Sequence, residues 1–204
     1  MIAIIDYGLG NVRAFENVYA GLKIDTVIAR TAEDLRGAKR VILPGVGAFD
    51  HAMGLLNRSG MKETLTELVT ERGVPVLGVC VGMQMLASDS EEGELPGLGW
   101  VDGHVRRISI DQADRPIRVP HMGWNTVTPV QETQLTADIG VDANFYFLHS
   151  YYFDCSQDSH VLARTEYGGS FPCAVGSRNI FGVQFHPEKS HRWGVQLLAN
   201  FARL

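Results

Sequence analysis

A cysteine lies between two glycines directly after an apolar run, in the stretch GVCVG (78–82). A nucleophile on a sharp turn from strand to helix needs small neighbours, because the backbone must fold tightly there. The start of a helix also favours the thiolate form of cysteine. The pattern predicts that Cys80 is a nucleophile and that the backbone N–H of Val81 is an oxyanion donor. The alternative is a buried structural cysteine at the end of a core strand.

A histidine and a glutamate follow another apolar run, in the stretch GVQFHPE (182–188). Extended residues two apart point to the same side of the chain, so the Glu188 carboxylate can reach the His186 imidazole. Pro187 restricts the corner between them. The predicted relay has Cys80 as the attacking group, His186 as the proton carrier, and Glu188 as the group that sets the imidazole tautomer.

Two other histidines compete for the role of general base. His121 and His149 are the rivals, but neither has a carboxylate two residues further along. The chain has seven histidines, so the His-Pro-Glu triplet alone also fits a surface turn. The relay is favoured because Cys80 and His186 lie at the ends of separate strands that could be neighbours.

Two further glycine-rich stretches could each bind a ligand, and the sequence supports only the first of them. The turn PGVG (44–47) could supply a second oxyanion donor through a free backbone amide, although a plain turn is the more common occurrence. The stretch GLGNVR (8–13) departs from the dinucleotide fingerprint, because Arg13 occupies the third glycine position and Asp25 begins the second strand instead of ending it. The sequence contains no Walker A motif and no cluster with metal-ligand spacing, so we expect no cofactor and no metal.

The elements that must position these residues alternate between strands and helices in the first half of the chain. Continuous apolar runs predict strands at Ile2–Asp6, Asp25–Ala29, Arg40–Leu43 and Pro75–Val79. Helical periodicity predicts helices at Val12–Leu22, at Leu55–Glu71 with a break at Ser59-Gly60, and after Gly82. This alternation predicts an α/β fold with a largely parallel sheet and helices on both faces.

The second half has closely spaced short strands and one terminal helix. The predicted strands are Val101–Ile110, Ile117–Val119, Phe145–Leu148, Tyr151–Phe153, Val161–Thr165, Phe171–Val175 and Ile180–Phe185. Turn residues separate them, which predicts antiparallel hairpins that extend or flank the sheet. The apolar stripe of Trp193–Leu204 predicts a helix.

Composition limits the class of protein. The 204 residues are 45% hydrophobic and 20% charged, which predicts a single globular domain over residues 1–204. The net charge of −5 and the lack of a long Lys/Arg cluster argue against nucleic acid as a partner. No apolar run approaches membrane-span length, so no membrane partner is expected. Three widely spaced cysteines favour a cytoplasmic protein with reduced thiols.

Four motifs together resemble the class I glutamine amidotransferases. They are GVCVGMQ (78–84), HPE (186–188), PGVG (44–47) and PHMGWN (120–125). More narrowly, PHMGWN and FYFLHSYY (145–152) resemble the glutaminase subunit of imidazole glycerol phosphate synthase, from histidine biosynthesis. The likeness spans nearly the whole chain and implies a flavodoxin-like, three-layer α/β/α fold.

The resemblance implies glutamine hydrolysis through a thioester on Cys80, with release of glutamate and ammonia. It also implies that the oxyanion rests on the amides of Val81 and Val46. The residues that would hold the substrate are Gly47, Gln84, Glu92, Ser150 and Tyr151. A solvated acidic loop is the alternative for Glu92, and a core aromatic is the alternative for Tyr151.

The resemblance further implies a protein partner. In the family, ammonia passes through an internal channel to a (β/α)₈-barrel subunit, which makes imidazole glycerol phosphate and AICAR. The sequence ends soon after the His-Pro-Glu triplet, so we expect the acceptor chemistry to lie on that partner. Asn11 and Trp124 match family positions at the subunit interface, and a packed core aromatic is the alternative for Trp124.

Three rival functions remain open at this point. A paralogous glutaminase would supply ammonia for amidino-sugar synthesis in surface polysaccharides. The stretches FLHSYYFDC (147–155) and HPEKSHRWG (186–194) fit that form as well as, or better than, the histidine-pathway form. A stand-alone cysteine hydrolase would use the same elbow without a partner. A degenerate binding module is disfavoured, because the complete set of Cys80, His186 and Glu188 is present.

Overall fold

The apolar runs of the first half form parallel strands that are buried on both faces. The structure is a computed structural model that describes residues 1–110 and 116–204. Every residue of β1 (Ile2–Ile5) and β4 (Val76–Cys80) is buried. Strands that are covered by helices on both sides show this pattern, so the predicted α/β class is confirmed.

The described part of the chain contains thirteen strands and five α-helices. The strands are β1 (Ile2–Ile5), β2 (Thr26–Ala29), β3 (Arg40–Gly45), β4 (Val76–Cys80), β5 (Asp89–Ser90), β6 (Gly103–Arg107), β7 (His121–Thr126), β8 (Thr128–Pro129), β9 (Asn144–His149), β10 (Tyr151–Cys155), β11 (Val161–Glu166), β12 (Ser170–Ser177) and β13 (Ile180–Val183). The helices are α1 (Val12–Gly21), α2 (Phe49–Arg58), α3 (Lys62–Thr66), α4 (Val81–Gln84) and α5 (His191–Phe201). Shorter helical segments are Glu33–Leu35, Glu67–Glu71, Asp158–His160 and Pro187–Lys189.

The main sheet combines a parallel half with an antiparallel half. Its strand order is β2-β1-β3-β4-β13-β12-β11-β8. The first five strands in this order run parallel, and the last three are added antiparallel. Two small sheets, β10-β6-β5 and β7-β9, are formed by the second half of the chain together with β5. The antiparallel hairpins predicted for this half are therefore confirmed.

Three central strands bring their carboxyl ends to one edge of the sheet. β4 lies between β3 and β13, with Gly45 opposite Cys80 on one side. On the other side Val183 lies opposite Val79. Because parallel strands end at the same edge, the turn after β3, the start of α4 and the segment after β13 meet there.

One continuous hydrophobic core joins the sheet to its helices. Helix α1 contributes the buried side chains of Phe15 and Tyr19, and α5 contributes Leu198 and Phe201. Both helices place their apolar residues at helical spacing, so one stripe faces the sheet. Among the helices of the described ranges, none is long and apolar enough to cross a membrane.

The predicted strand at Ile117–Val119 is wrong. Residues 116–118 have no regular structure, and the Arg118 carbonyl accepts a hydrogen bond from the Tyr167 hydroxyl at 2.6 Å instead of from a neighbouring strand. The strand of this region is β7, which begins after Pro120 and pairs antiparallel with β9. Proline lacks an N–H, so it can precede a strand more easily than lie within one.

Several predicted helix bounds also shift. Helix α2 begins at Phe49, six residues before the predicted start at Leu55, because Phe49, Ala52 and Met53 are buried against the core. The predicted break is confirmed by Gly60, whose φ is +71°. The helix predicted after Gly82 begins at Val81 and ends after one turn.

The turn from β4 into α4 depends on close backbone packing. A Cβ atom on Gly78 would lie 2.5 Å from the Gly82 carbonyl oxygen, and one on Gly82 would overlap the Leu43 carbonyl oxygen. Neither obstacle can rotate away, because both are backbone atoms. The two glycines therefore let α4 lie directly against β3 and β4.

We predict that Gly78→Ala and Gly82→Ala each lower the free energy of unfolding by about 2 kcal/mol or more, as overpacking does in other cores. Urea denaturation monitored by circular dichroism measures this change. The matched control is Gly21→Ala at the end of α1, where an added Cβ meets nothing within 4 Å. Equal stability of Gly78→Ala and Gly21→Ala would contradict the role of close packing.

Candidate active site

The nucleophile candidate lies at a strained backbone position. Cys80 has φ +56° and ψ −115°, a conformation that residues with a side chain rarely adopt. It ends β4 and directly precedes α4, so its backbone is forced to turn sharply. The predicted strand-to-helix elbow is therefore present, and its strain indicates a functional position.

A histidine–glutamate pair lies beside the elbow. His186 Nδ1 lies 2.9 Å from Glu188 Oε1, and both side chains are almost completely buried. The ionised carboxylate only accepts hydrogen bonds, so Nδ1 carries a proton and Nε2 faces away from Glu188. Cys80 and His186 line the same cavity, so the imidazole lies on the side of the elbow that carries the thiol. The structure thus brings together the three side chains of the predicted relay.

The surroundings of His186 favour its protonated form. Burial lowers the pKa of His186, but the interactions with Cys80 and Glu188 outweigh burial and raise the pKa to about 10. His186 therefore holds a proton at neutral pH. An imidazolium beside a cysteine stabilises the thiolate, which is the nucleophilic form.

The other two cysteines have different surroundings. All three cysteines lie in the described ranges and are free. Burial raises the pKa of the Cys155 thiol to about 12 and also raises the pKa of the Cys173 thiol. Neither thiol is therefore ionised near neutral pH, and of the three only Cys80 combines an elbow with a histidine partner.

The two rival histidines form a buried neutral pair. His121 Nδ1 lies 2.9 Å from His149 Nε2, and His149 Nδ1 donates to the Tyr151 carbonyl at 2.8 Å. Burial lowers the pKa of His121 to about 4 and that of His149 to about 3. Both nitrogens of His149 are occupied by these contacts, so His149 has no free atom with which to accept a proton from Cys80.

One cavity of about 310 Å³ opens beside Cys80 and His186. All the predicted oxyanion and substrate residues line it: Val46, Gly47, Val81, Gln84, Glu92, Ser150 and Tyr151. Glu188 lies behind His186 and does not line the cavity. In the described ranges no cluster of histidine, cysteine or acidic side chains could hold a metal ion.

Two of these cavity residues are also held by protein contacts. Both amide hydrogens of Gln84 are donated inside the protein, to the Tyr151 carbonyl and to Gln184 Oε1, each at 3.0 Å. Only Gln84 Oε1 remains to contact a ligand. Glu92 Oε2 accepts from the Phe49 N–H at 2.9 Å and so caps α2. Glu92 is therefore half-buried and fixed instead of lying in a freely solvated loop.

The predicted interface residues lie outside the cavity. Asn11 is exposed and caps α1 by accepting from the Ala14 N–H at 3.3 Å. Trp124 is 50% exposed, so it is not a packed core aromatic. Its ring stacks on His191 with centroids 5.1 Å apart and an interplanar angle of 6°.

Four residues in or beneath the cavity wall have no predicted role. Pro120, Leu148 and Lys189 line the cavity, and Gln184 lies just beneath it. His149, which was predicted only as a rival base, also lines the cavity. A signal for Gln184 was present, because it precedes His186 by two residues and so points to the same side of an extended chain. No local pattern marks the Leu148 carbonyl, which lies 3.9 Å from Cys80 Sγ, since only the tertiary fold brings β9 there.

The fold and this site define a class of enzyme. The sequence profile of the family "Glutamine amidotransferase class-I" matches residues 3–203, and the chain belongs to this family. A solved structure of a glutamine amidotransferase has the same fold, with a TM-score of 0.70 and 23% identity over 97% of this chain and 98% of that chain. The fold class implied by the resemblance is thereby confirmed.

Two full-length relatives have names that are more specific than the name of the family. Imidazole glycerol phosphate synthase subunit HisH of Bdellovibrio bacteriovorus is 57% identical over 204 residues, which cover all of both chains. The subunit HisH of Leptospira interrogans is 50% identical, also over the full length of both. The narrower resemblance of the PHMGWN motif is therefore confirmed.

The neutral histidine pair generates a prediction about acid stability. The folded-state pKa values of His121 and His149 lie below the unfolded value of about 6.5, so the unfolded chain binds more protons as the pH falls. Each histidine then lowers the free energy of unfolding by up to about 1.4 kcal/mol per pH unit between about pH 6 and 4. Below about pH 5.5 His186 adds almost no slope, because it is protonated in both states.

We predict that His149→Gln loses stability less steeply than the wild type over this pH range. Urea denaturation at a series of pH values measures the slope. The control is His51→Gln, which replaces an exposed histidine on α2 and should keep the wild-type slope. If the free energy of unfolding of His149→Gln falls with pH as steeply as that of the wild type and of His51→Gln, then His149 is not a buried neutral histidine.

Proposed function

We propose that the chain is the glutaminase subunit of an imidazole glycerol phosphate synthase. It hydrolyses glutamine to glutamate and ammonia with Cys80, His186 and Glu188. The observation that carries this proposal is the buried His186–Glu188 hydrogen bond of 2.9 Å beside a cysteine with φ +56°. A structural cysteine would need neither the strain nor the partner.

The first half of the reaction forms a thioester. The Cys80 thiolate attacks the side-chain amide carbon of glutamine, and the resulting oxyanion accepts hydrogen bonds from the backbone amides of Val81 and Val46. His186 gives its proton to the nitrogen as the carbon–nitrogen bond breaks, and ammonia leaves. The raised pKa of His186 supports this step, because the proton is already in place.

The second half returns the enzyme to its starting state. Water attacks the thioester carbonyl while His186 accepts a proton from it. The carbon–sulfur bond then breaks, glutamate leaves, and the thiolate and imidazolium are restored. Glu188 keeps the ring orientation through Nδ1 in both halves, so Nε2 always faces the reacting atoms.

The cavity offers groups that suit the polar ends of glutamine. Glu92 Oε2 is bonded to the start of α2, which leaves Oε1 for the α-ammonium group. Gln84 offers only Oε1, which accepts hydrogen bonds from an N–H group. Gly47, Ser150 and Tyr151 complete the predicted substrate contacts on the remaining walls.

An exposed apolar face borders the cavity, and we propose that a (β/α)₈-barrel subunit docks on it. Met122 is 62% exposed and Trp124 is 50% exposed. Met122 pairs across the sheet with Leu148, which lines the cavity together with Val46. The apolar surface is therefore continuous from the strand β7 to the mouth of the active site, as expected for a docking face.

The loop that carries Asn11 is also coupled to the active site. A Cβ on the neighbouring Gly10 would lie 2.7 Å from Pro44 Cβ, so this loop packs directly on the PGVG turn. The Tyr7 hydroxyl donates to the Pro44 carbonyl at 2.8 Å. A partner that contacts Asn11 could therefore influence the turn that presents the Val46 amide.

The relatives' names support the choice of acceptor. We propose that the ammonia is used to make imidazole glycerol phosphate and AICAR in histidine biosynthesis, in the cytoplasm. We also propose that residues 1–204 act as a single domain, which their continuous hydrophobic core supports. The paralogous amidino-sugar function differs only in the acceptor, and the assay below separates the two.

We predict that Cys80→Ala, mixed with the barrel subunit, loses glutamine-dependent synthesis by a factor of about 10⁴ or more, because removal of a nucleophile leaves only residual catalysis. Synthesis from added ammonium salt stays at the wild-type rate. Product formation from the nucleotide substrate measures both. Cys173→Ala is the matched control and keeps both activities.

Three results would contradict the proposal. Glutamine-dependent synthesis by Cys80→Ala would exclude Cys80 as the nucleophile. Equal glutaminase rates with and without the barrel subunit and its nucleotide would exclude coupling, and activity only with an amidino-sugar partner would exclude the histidine pathway. A separate variant, Trp124→Ala, tests the docking face in the same assay. We expect this variant to bind the barrel subunit more weakly than the wild type does, and an unchanged affinity would exclude that face.

A further inference from the structure

One backbone carbonyl fixes the direction of a buried hydrogen-bond chain beneath the active site. The Tyr151 carbonyl accepts from Gln84 Nε2 at 3.0 Å and from His149 Nδ1 at 2.8 Å. A carbonyl can only accept, so the amide group of Gln84 must present its NH₂ to it. The orientation of Gln84 therefore follows from chemistry and not from a choice between two similar atoms.

The orientation of the Gln84 amide also fixes the orientation of the Gln184 amide. The second hydrogen of Gln84 Nε2 is donated to Gln184 Oε1 at 3.0 Å. If the Gln184 amide were reversed, two NH₂ groups would face each other, and the hydrogen that Gln84 directs at Gln184 would have no acceptor. Gln184 is fully buried, so such a mismatch would be costly. The NH₂ group of Gln184 is thus held toward Cys80, with Nε2 at 3.8 Å from Sγ.

The position of Gln184 follows from the sheet register. Val183 lies opposite Val79 in the parallel pairing of β13 with β4, so the next residues along, Gln184 and Cys80, are neighbours. In the described ranges the sulfur has two hydrogen-bond contacts. The Leu148 carbonyl at 3.9 Å accepts from the thiol form, whereas Gln184 Nε2 at 3.8 Å offers a donor to the thiolate form.

We propose that Gln184 is a thiolate-stabilising donor to Cys80, oriented by Gln84 and the Tyr151 carbonyl. The inference rests on the proposed role of Cys80 as the nucleophile. A donor aimed at an anion makes a charge-assisted hydrogen bond, which is stronger than its neutral counterpart. Gln184 thus acts together with His186, and it contributes no proton to the reaction.

The experiment measures how alkylation of Cys80 by iodoacetamide depends on pH, with modification of the Cys80 peptide followed by mass spectrometry. We expect Gln184→Met to raise the pH of half-maximal alkylation by about one unit, as loss of one hydrogen bond to a charged group would do. In the presence of the barrel subunit, we expect the kcat of Gln184→Met for glutamine to fall about tenfold, while its KM changes less than about twofold.

Two further variants separate this role from packing. Gln84→Met leaves the Gln184 amide free to rotate, so it should raise the same pH by a smaller amount. Gln196→Met replaces a glutamine on α5 outside the cavity and should leave the profile unchanged. Circular dichroism and thermal melting test whether each variant folds. If Gln184→Met does not fold, the pH dependence of Cys80 alkylation in Gln84→Met decides whether Gln184 is a donor.

The outcomes distinguish this inference from the proposed function. An unchanged profile in Gln184→Met, or an equal shift in Gln196→Met, would overturn the role of Gln184 while Cys80 remains the nucleophile. If wild-type Cys80 reacts only at the pH of a free thiol, near about 8.5, both the donor and the activated nucleophile are excluded.

Discussion

The parallel register of β4 between β3 and β13 is the constraint on which the site depends. It places Cys80 beside Gly45 on one side and beside the segment leading to His186 on the other. The close approach of α4, which glycines at 78 and 82 permit, then turns the chain at Cys80. A different register would separate the proposed nucleophile from the proposed base and from the proposed oxyanion turn, because each comes from a different strand end.

Electrostatics divides the buried polar groups into two sets with different tasks. His186 is charged, because Cys80 and Glu188 outweigh the effect of burial. His121 and His149 are neutral, because burial dominates and no carboxylate of residues 1–110 and 116–204 is hydrogen-bonded to either ring. In the proposed reaction His186 carries the proton, whereas His121 and His149 only hydrogen-bond to each other and, through His149, to the Tyr151 carbonyl. The same type of side chain thus serves both tasks, and its environment decides which.

Local signals were sufficient to predict the parallel half of the fold and to identify three side chains that the structure places at one site. The strands are continuous apolar runs, and Cys80, His186 and Glu188 each lie in a short motif whose geometry is local. Strand β7 could not be predicted in this way, because His121, Gly123 and Trp124 gain their extended conformation from pairing with β9. The cap from Glu92 to α2 and the contact of Gln184 with Cys80 also depend on tertiary contacts between segments that are distant in sequence.

The proposed reaction requires that Cys80 carries a γ-glutamyl thioester during turnover. Rapid acid quenching of the complex with glutamine, followed by mass spectrometry of the peptide that contains Cys80, detects this thioester directly. We expect a mass increase of one γ-glutamyl group on Cys80 that disappears when glutamine is consumed. Turnover at the normal rate without any such adduct, or an adduct on Cys155 or Cys173, would contradict it.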